Sequence, residues 1–278
     1  MSDRLPNFFI IGTMKGATTS LWNYLGQHPE IFMSPIKETR YFAVKSFAPD
    51  KIEIIKRHPL WKNTITSLDE YYRLFEGVKD ESVVGEASPL YMVYPFVSKN
   101  IREMIPEARI LACLRQPAER AFSHFQHNLS LGFEKRANFI NAVYDDGRLN
   151  YAGYYRLGFY AEQLESYFEQ FPKNQIKICY YDQLVQDPEG VLSSIFDFLG
   201  IDPSFKPDTS VLHNKRAKQG FLDHNTKRLL TLPYIEDIRK LEGLDGVDLS
   251  AWYTLHSANT IKGKDENDMS LSPWYYAH

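Results

Sequence analysis

Residues 8–20 bring together side chains and backbone groups that suit the binding of a phosphate. The apolar run Phe8–Gly12 predicts a strand that delivers a loop with Lys15 and Gly16 to a sheet edge. Glycine lets backbone N–H groups turn toward an anion, and a helix beginning after the loop offers unpaired N–H groups and a positive dipole end. Three hydroxyl residues stand at this helix start: Thr18, Thr19 and Ser20.

The order of these residues differs from that in a Walker A loop. In the pattern G-x-x-x-x-G-K-[ST] the lysine follows the second glycine, whereas here Lys15 precedes Gly16. The segment therefore predicts an anion loop of another kind. The same residues also fit an ordinary strand–turn–helix corner.

A second group of polar residues follows the apolar run Arg109–Leu114. Arg115 ends this predicted strand, the chain turns into a predicted helix at Pro117, and Ser123 lies about two turns along that helix. An arginine fork and a serine hydroxyl at one sheet edge can hold a phosphate together. An Arg and a Ser at this spacing also occur as ordinary surface residues.

The elements that position these residues alternate along the chain. Short apolar runs predict strands buried on both faces at Phe8–Gly12, Ser82–Glu86, Arg109–Leu114 and Gln175–Tyr180. Helical patterns lie between and after them, at Thr18–Gln27, Pro95–Met104, Pro117–Leu131, Tyr160–Phe171 and Pro188–Leu199. This order predicts an α/β fold with a mainly parallel central sheet, flanking helices and ligands at the carboxyl ends of the strands.

The remaining stretches show no such pattern. Residues 43–70 and 202–226 are predicted to be long irregular loops, which often carry acceptor sites and lids. No repeat or linker divides the chain, so residues 1–278 are predicted to form a single domain.

The composition, with 44% hydrophobic and 24% charged residues and a net charge of −3, excludes a disordered chain and gives no basic signal for nucleic acid. No apolar run reaches the ~18 residues that span a bilayer, and residues 1–7 lack the apolar core of a signal peptide. Cys113 and Cys179 lie in strand-like runs and are expected to be buried free thiols, which fits a reducing cytoplasm.

The first loop and the segment Arg115-x-Pro117-x-x-Arg120-x-x-Ser123 together resemble the sulfotransferases that use 3′-phosphoadenosine 5′-phosphosulfate (PAPS). Later segments resemble the heparan-sulfate-type branch of this family and its bacterial relatives. In chain order they are Lys37-Glu38-Thr39-Arg40-Tyr41-Phe42, Val84-Gly85-Glu86-Ala87-Ser88-Pro89-Leu90-Tyr91, the helix–strand unit from Gly158 to Leu184, and Asp248-Leu249-Ser250-Ala251-Trp252. The similarity extends over nearly the whole chain.

The resemblance implies a P-loop-like three-layer fold and in-line transfer of a sulfuryl group from PAPS to a hydroxyl or amine. The product is adenosine 3′,5′-bisphosphate (PAP), and the scheme requires no metal. Lys15 then stabilises the charge that grows on the leaving phosphate, and Glu38 acts as the general base. The residues that the resemblance assigns to the donor are Lys15, Gly16, Ala17, Thr18, Thr19 and Ser20 for the 5′-phosphosulfate, and Arg115 and Ser123 for the 3′-phosphate.

Further donor contacts are expected from the basic segment His213–Phe221. Arg216 and Lys218 are the candidate phosphate contacts, and Gly220 gives the backbone freedom to close over the donor. A solvated basic loop fits this segment as well. The adenine is expected to stack on an aromatic ring near Tyr181.

The acceptor side is predicted from fewer residues. Glu86 and Ser88 stand at a strand end, and His127 lies four residues beyond Ser123 on the same helix face. His124 or His127 is the alternative to Glu38 as the base.

The nature of the acceptor stays open between a small molecule, a glycan and a lipid. The heparan-sulfate branch commonly has a lysine where this chain has Ala87, which puts its sugar contacts in doubt here. A strongly anionic polysaccharide would call for a basic stripe, and the sequence has none outside residues 213–218.

Two other functions are compatible with the sequence. An ATP-dependent P-loop kinase is disfavoured by the position of Lys15 and by the lack of an obvious magnesium-binding aspartate after an apolar strand. A nucleotide-binding scaffold without catalysis is disfavoured by the presence of Lys15, Glu38, Arg115 and Ser123. The sequence does not specify an oligomeric state.

Overall fold

The computed structural model of the chain describes residues 5–57, 61, 64–146, 153–210 and 222–254. In these ranges, five strands form one parallel sheet with the order β2-β3-β1-β4-β5. They are β1 (Phe8–Gly12), β2 (Ile31–Met33), β3 (Val83–Ala87), β4 (Arg109–Leu114) and β5 (Ile176–Tyr180). Strand β1 is central, so the loop that follows it lies between the carboxyl ends of β3 and β4.

The helices of the described ranges flank this sheet. They are α1 (Thr18–Leu25), α2 (Tyr41–Val44), α3 (Pro49–Lys56), α4 (Leu68–Arg73), α5 (Pro95–Met104), α6 (Pro117–Ser130), α7 (Phe139–Asp146), α8 (Tyr160–Gln170), α9 (Tyr181–Gln186), α10 (Pro188–Leu199), α11 (His224–Thr231) and α12 (Ile235–Asp245).

Side chains of a strand alternate between the two faces of the sheet, so β1 contributes to two apolar layers. Phe8 and Ile10 pack in one buried cluster with residues of α1 and α10. Phe9 and Ile11 pack in another with residues of α5, α8 and α12. The result is a helix–sheet–helix arrangement, which confirms the predicted three-layer α/β fold.

The buried strands were the easiest elements to predict. The bounds of β1, β4, α5 and α10 agree with the sequence prediction, and those of β3 and β5 differ by one residue at most at either end. Cys113 and Cys179 are partners across β4 and β5, and both are buried free thiols, as predicted. Strand β2 was not predicted, because three residues are too few to show a pattern.

The prediction that residues 43–70 are irregular is wrong, since α3 lies within them and α4 begins there. The cause is local and tertiary: the Ser67 hydroxyl caps α4 by accepting from the Glu70 N–H, and Tyr71 of α4 is fully buried. Helix α11 likewise begins inside residues 202–226, of which 211–221 lie outside the described residues.

Candidate active site

The loop between β1 and α1, here called the donor loop (residues 12–19), packs closely against the end of β4. The Thr13 N–H donates to the Cys113 carbonyl at 3.0 Å, and the Gly16 N–H donates to the Thr13 carbonyl at 2.9 Å. A Cβ atom on Gly16 would collide with the Cys113 carbonyl oxygen. Close backbone approach, and not a left-handed φ, therefore explains the glycine at this position.

Two other residues of the donor loop carry the left-handed conformation. Lys15 has φ 70° and Ala17 has φ 64°, both unusual for residues with a side chain. Left-handed residues in a loop that ends at a helix N-terminus turn backbone N–H groups into a concavity that suits an anion. Lys15 thus belongs to a loop whose backbone geometry suits an anion.

The three hydroxyls at the start of α1 have different surroundings. Thr19 is half-buried, Thr18 is buried, and Ser20 is fully buried with a hydrogen bond to Tyr24. The Ser20 hydroxyl therefore stabilises α1 from within, whereas Thr19 remains accessible at the loop.

Arg115, at the end of β4, meets Tyr181, the first residue of α9. The Arg115 guanidinium lies 4.3 Å from the centre of the Tyr181 ring, and Nη2 lies 3.7 Å from Glu119 Oε2. Among the described residues, Arg115 Nε is buried without a hydrogen-bond partner. Buried donors are almost always paired, so this N–H is suited to a phosphate oxygen.

Helix α6 presents the remaining predicted donor residues. Ser123 and His127 are half-buried, whereas Arg120 is fully buried and donates to the Tyr154 carbonyl. Burial, together with the positive charges of Arg120 and Lys15, holds the pKa of His124 well below its usual range. His124 is therefore a neutral residue of the interior, and its ring packs on Tyr154 at 5.0 Å.

Glu38 belongs to a second segment, here called the base segment (residues 37–41), and its carboxylate is paired with two cations. Lys37 Nζ lies 3.1 Å from Oε1, and Arg40 Nη2 contacts Oε2. The Glu38 side chain is 38% exposed, whereas that of Arg40 is 8% exposed. Burial disfavours the carboxylate, but the charges of Lys37 and Arg40 outweigh this and lower the pKa of Glu38.

A buried carboxylate supports the base segment. Glu86, the penultimate residue of β3, has no exposed surface, and four hydroxyls donate to it. The donors are Thr39 (2.5 Å), Ser88 (2.8 Å) and Tyr91 (2.8 Å) to Oε1, and Tyr71 (2.5 Å) to Oε2. Burial raises the pKa of Glu86 despite these hydrogen bonds.

Backbone contacts complete this support. The Glu38 N–H donates to the Ala87 carbonyl at 2.8 Å, and the Arg40 N–H donates to Ser88 Oγ at 3.2 Å. Glu38 and Arg40 both adopt left-handed φ, at 63° and 55°. Thr39 lies between Glu38 and Arg40 in the sequence and donates to Glu86. Glu86 therefore fixes the directions in which the Glu38 and Arg40 side chains leave the backbone.

The sequence prediction placed Glu86 and Ser88 on the acceptor side. The structure places both side chains at 0% exposure beneath the base segment, so they reach the site through Thr39 and Arg40. Arg40 was not among the predicted site residues. Arg40 belongs to the site because it contacts Glu38, and no sequence pattern indicates that contact.

Arg216, Lys218 and Gly220 lie outside the described residues. The following helix, α11, returns to the donor side: Lys227 Nζ lies 2.5 Å from Glu119 Oε1, and Glu119 also contacts Arg115. Lys227 and Glu119 were not predicted, because 108 residues separate them in sequence.

Two observations concern metal sites and membrane-spanning helices. Within the described ranges, no group of three or more His, Cys, Asp and Glu side chains is placed to hold a metal ion. No helix in those ranges has the length and apolar character needed to cross a membrane.

Comparison with known proteins gives a consistent result. The family model described as "Sulfotransferase family" matches residues 6–207. The human bifunctional heparan sulfate N-deacetylase/N-sulfotransferase 3 is 27% identical over 214 residues, which cover 73% of this chain and 23% of that protein. The chain spans about a quarter to a half of the length of the curated relatives that it matches.

Solved structures show the same fold. A sulfotransferase from Alicyclobacillus acidocaldarius superposes with a TM-score of 0.78 at 32% identity, covering 90% of this chain and 99% of that one. Mouse sulfotransferase SULT7A1, solved in complex with PAP, superposes with a TM-score of 0.50 at 15% identity, covering 87% of this chain and 82% of that one.

Proposed function

The chain belongs to the sulfotransferase family, and from this premise we propose that it transfers a sulfuryl group from PAPS to a hydroxyl or amine of an acceptor. The observation that carries the proposal is the meeting of two anion-binding features at the ends of β1 and β4. One is the donor loop with Lys15, and the other is Arg115, whose buried Nε has no partner among the described residues.

In this proposal the donor loop binds one end of the donor, and residues that follow β4 bind the other end. The N–H groups of Ala17, Thr18 and Thr19 and the Thr19 hydroxyl hold the 5′-phosphosulfate. The Gly16 N–H already donates to Thr13, so Gly16 contributes its small size. Arg115 and Ser123 hold the 3′-phosphate. The PAP complex of the structurally similar mouse sulfotransferase supports a donor of this chemistry.

Lys15 has the electrostatic role. As the bond between sulfur and the bridging oxygen of the 5′-phosphate breaks, negative charge grows on that oxygen. A fixed ammonium group aimed at developing charge lowers the barrier. Because Lys15 supplies this charge, the proposed scheme calls for no metal ion.

Glu38 has the role of general base. The acceptor oxygen or nitrogen forms the new bond to sulfur, and its proton passes to the Glu38 carboxylate. Lys37 and Arg40 keep Glu38 ionised and lower its basicity, so proton transfer accompanies the attack and does not precede it. Glu86 is a positioning residue that acts through Thr39 and the Arg40 backbone.

We also propose a compartment and candidate acceptors. Cys113 and Cys179 are adjacent free thiols, which supports a reducing cytoplasm as the place of action. The heparan sulfate named for the human relatives makes a glycan one candidate acceptor, beside small molecules and lipids.

Calorimetric titration with PAP, run beside ATP with Mg²⁺, tests the donor site without knowledge of the acceptor. We expect micromolar or tighter binding of PAP and little binding of ATP, because the donor site is built for a 3′-phosphate. Preferential binding of Mg-ATP would favour a kinase, and no binding of either nucleotide would favour a scaffold.

A further inference from the structure

A row of apolar side chains, here called the apolar strip, leads away from the proposed reaction centre. It consists of Met14, Trp61, Tyr94, Phe96 and Phe47. Four of these side chains are half-buried and Phe96 is 39% exposed, so each keeps accessible surface. An accessible apolar row next to a site that must bind an acceptor suits the apolar part of a ligand.

The strip is a continuous and supported surface. Its first three residues pack on a buried aliphatic base formed by Leu90, Val93 and Leu157. The ring centres of Tyr94 and Phe96 are 5.6 Å apart, and those of Phe96 and Phe47 are 6.1 Å apart. The strip is therefore held in place by contacts beneath it and along it.

The inner end of the strip lies at the residues that carry the proposed chemistry. Met14 immediately precedes Lys15, and the Arg40 guanidinium that pairs with Glu38 lies 5.3 Å from the centre of the Trp61 ring. Burial raises the pKa of Tyr94 and the charge of Arg40 opposes this rise, which also places Tyr94 near Arg40. A molecule on the strip thus has one end beside Lys15 and Glu38.

The charges around the strip argue against a strongly anionic acceptor. Lys37 and Arg40 are both paired with Glu38, Lys99 lies 3.8 Å from Glu103, and Lys45 donates to the Asn100 carbonyl at 3.4 Å. A sulfated or carboxylated polysaccharide is recognised by rows of cations that remain available to it. Each of these cations already contacts a carboxylate or a carbonyl of the chain, and one carboxylate, Glu38, serves two of them.

The chemistry of the strip also disfavours a sugar chain. Sugar recognition needs several hydrogen-bonding side chains, whereas the five strip residues offer one phenol hydroxyl and one indole N–H. Thioether and aromatic groups bind apolar surface.

We propose that the apolar strip binds the apolar body of an alcohol or phenol, whose hydroxyl lies between Lys15 and Glu38 and accepts the sulfuryl group. This inference rests on the proposed function. In the transfer step the acceptor oxygen forms the bond to sulfur, the bond from sulfur to the 5′-phosphate breaks, and the acceptor proton passes to Glu38.

The experiment measures transfer from ³⁵S-labelled PAPS by the full chain to 2-naphthol, to 1-octanol and to N-desulfated heparan oligosaccharides. We expect transfer to the two apolar probes. Trp61→Ala and Phe96→Ala should each raise the KM for 2-naphthol by roughly 10- to 100-fold and leave the affinity for PAP unchanged. Phe96 is exposed, so its variant keeps the test valid if Trp61→Ala fails to fold. Tyr144→Ala, at a 71% exposed aromatic of α7, is the matched control.

The outcomes separate this inference from the proposed function. Normal PAP binding with transfer to the oligosaccharide alone, or to none of the probes, overturns the inference and leaves the donor site in place. An unchanged KM in both strip variants also overturns it. Loss of PAP binding in the unmodified chain overturns the proposed function as well.

Discussion

The donor loop and the base segment are held by different means, although both carry two left-handed residues with side chains. Backbone contacts with β4 hold the donor loop, and they leave room for no side chain at Gly16. The buried carboxylate of Glu86 holds the base segment through Thr39, which lies 47 residues away in sequence. The geometry of the donor loop therefore leaves a local signature in the sequence. The geometry of the base segment depends on residues that meet only in the fold.

The two carboxylates at the base segment, Glu38 and Glu86, differ in their partners and in the direction of their pKa shifts. Glu38 has two cationic partners and a lowered pKa, whereas Glu86 has four neutral donors and a raised pKa. The first arrangement keeps a charge available at the surface, and the second stores a carboxylate in the interior as a structural anchor. We therefore expect substitutions at these positions to affect different quantities.

The largest effect is expected at Lys15, because we assign its ammonium group to the charge that grows on the leaving oxygen. Lys15→Ala should lower the rate of sulfuryl transfer by at least about 10³-fold, the upper range for loss of one group that stabilises transition-state charge. Lys15→Arg, which keeps the charge, should retain part of the rate. Full activity of the Ala variant would remove Lys15 from the mechanism.

The next effect is expected at the base segment. Glu38→Gln should reduce kcat by roughly 10²-fold, since a general base of this kind contributes on that scale. Steady-state kinetics at saturating donor measures this. Lys37→Gln is the matched control, because it removes a partner of Glu38 without removing the base. A normal rate for Glu38→Gln would transfer the role to His127.

A matched pair of tyrosines sharpens the comparison. The Tyr91 hydroxyl donates to Glu86 and accepts from the Phe42 N–H, whereas the Tyr160 hydroxyl donates to the Arg115 carbonyl at 2.6 Å. Tyr160→Phe loses one hydrogen bond, worth about 1 kcal/mol, and should raise the donor KM about 5-fold. Tyr91→Phe loses at least the two hydrogen bonds named above and should lower kcat by about 5-fold or more. Equal effects of both variants on kcat would contradict separate roles for the two regions.

The last prediction concerns the stability of the fold in acid, where we expect the smallest effect on activity. Hydrogen bonds from Arg136 and Tyr154 lower the pKa of Glu134, beside the end of α6, from 4.5 to about 2. Between these values the unfolded chain binds a proton that folded Glu134 does not. Glu134 therefore stabilises the folded chain above pH 4.5, and this contribution is lost as the pH falls toward 2.

Glu86 works in the opposite direction. Its raised pKa means that the folded chain takes up a proton more readily than the unfolded chain, so acidification favours folding at this group. Urea unfolding at several pH values should show a flatter acid limb for Glu134→Gln and a steeper one for Glu86→Gln. Parallel curves for the two variants would refute these assignments.

The sequence predicted the sheet well because its strands depend on local patterns. Buried strands are unbroken apolar runs, and Gly16 is required by the backbone packing at its position. Arg115 and Tyr181, which the sequence analysis assigned separately to the donor, contact each other because they follow strands that are neighbours in the sheet. The site assignments themselves remain predictions.

The surroundings of Glu38 were predicted less well for a physical reason. Arg40, Trp61 and Tyr94 lie together because an ion pair and an aliphatic base formed by distant residues hold them. Helices α3 and α4, inside a stretch predicted to be irregular, are too short to show a repeating apolar face. The cap of α4 is visible in the sequence as Ser67-x-x-Glu70, whereas the burial of residues such as Tyr71 is not.

The most direct test of the separate roles is the dissociation constant of PAP for two variants measured side by side by calorimetry. We expect Arg115→Ala to weaken PAP binding at least about 30-fold, because it removes a buried guanidinium from a phosphate. We expect Glu38→Gln to bind PAP as the unmodified chain does. Unchanged binding by Arg115→Ala, or an equal loss in both variants, would contradict the assignment of the donor to the β1–β4 edge and of the chemistry to the base segment.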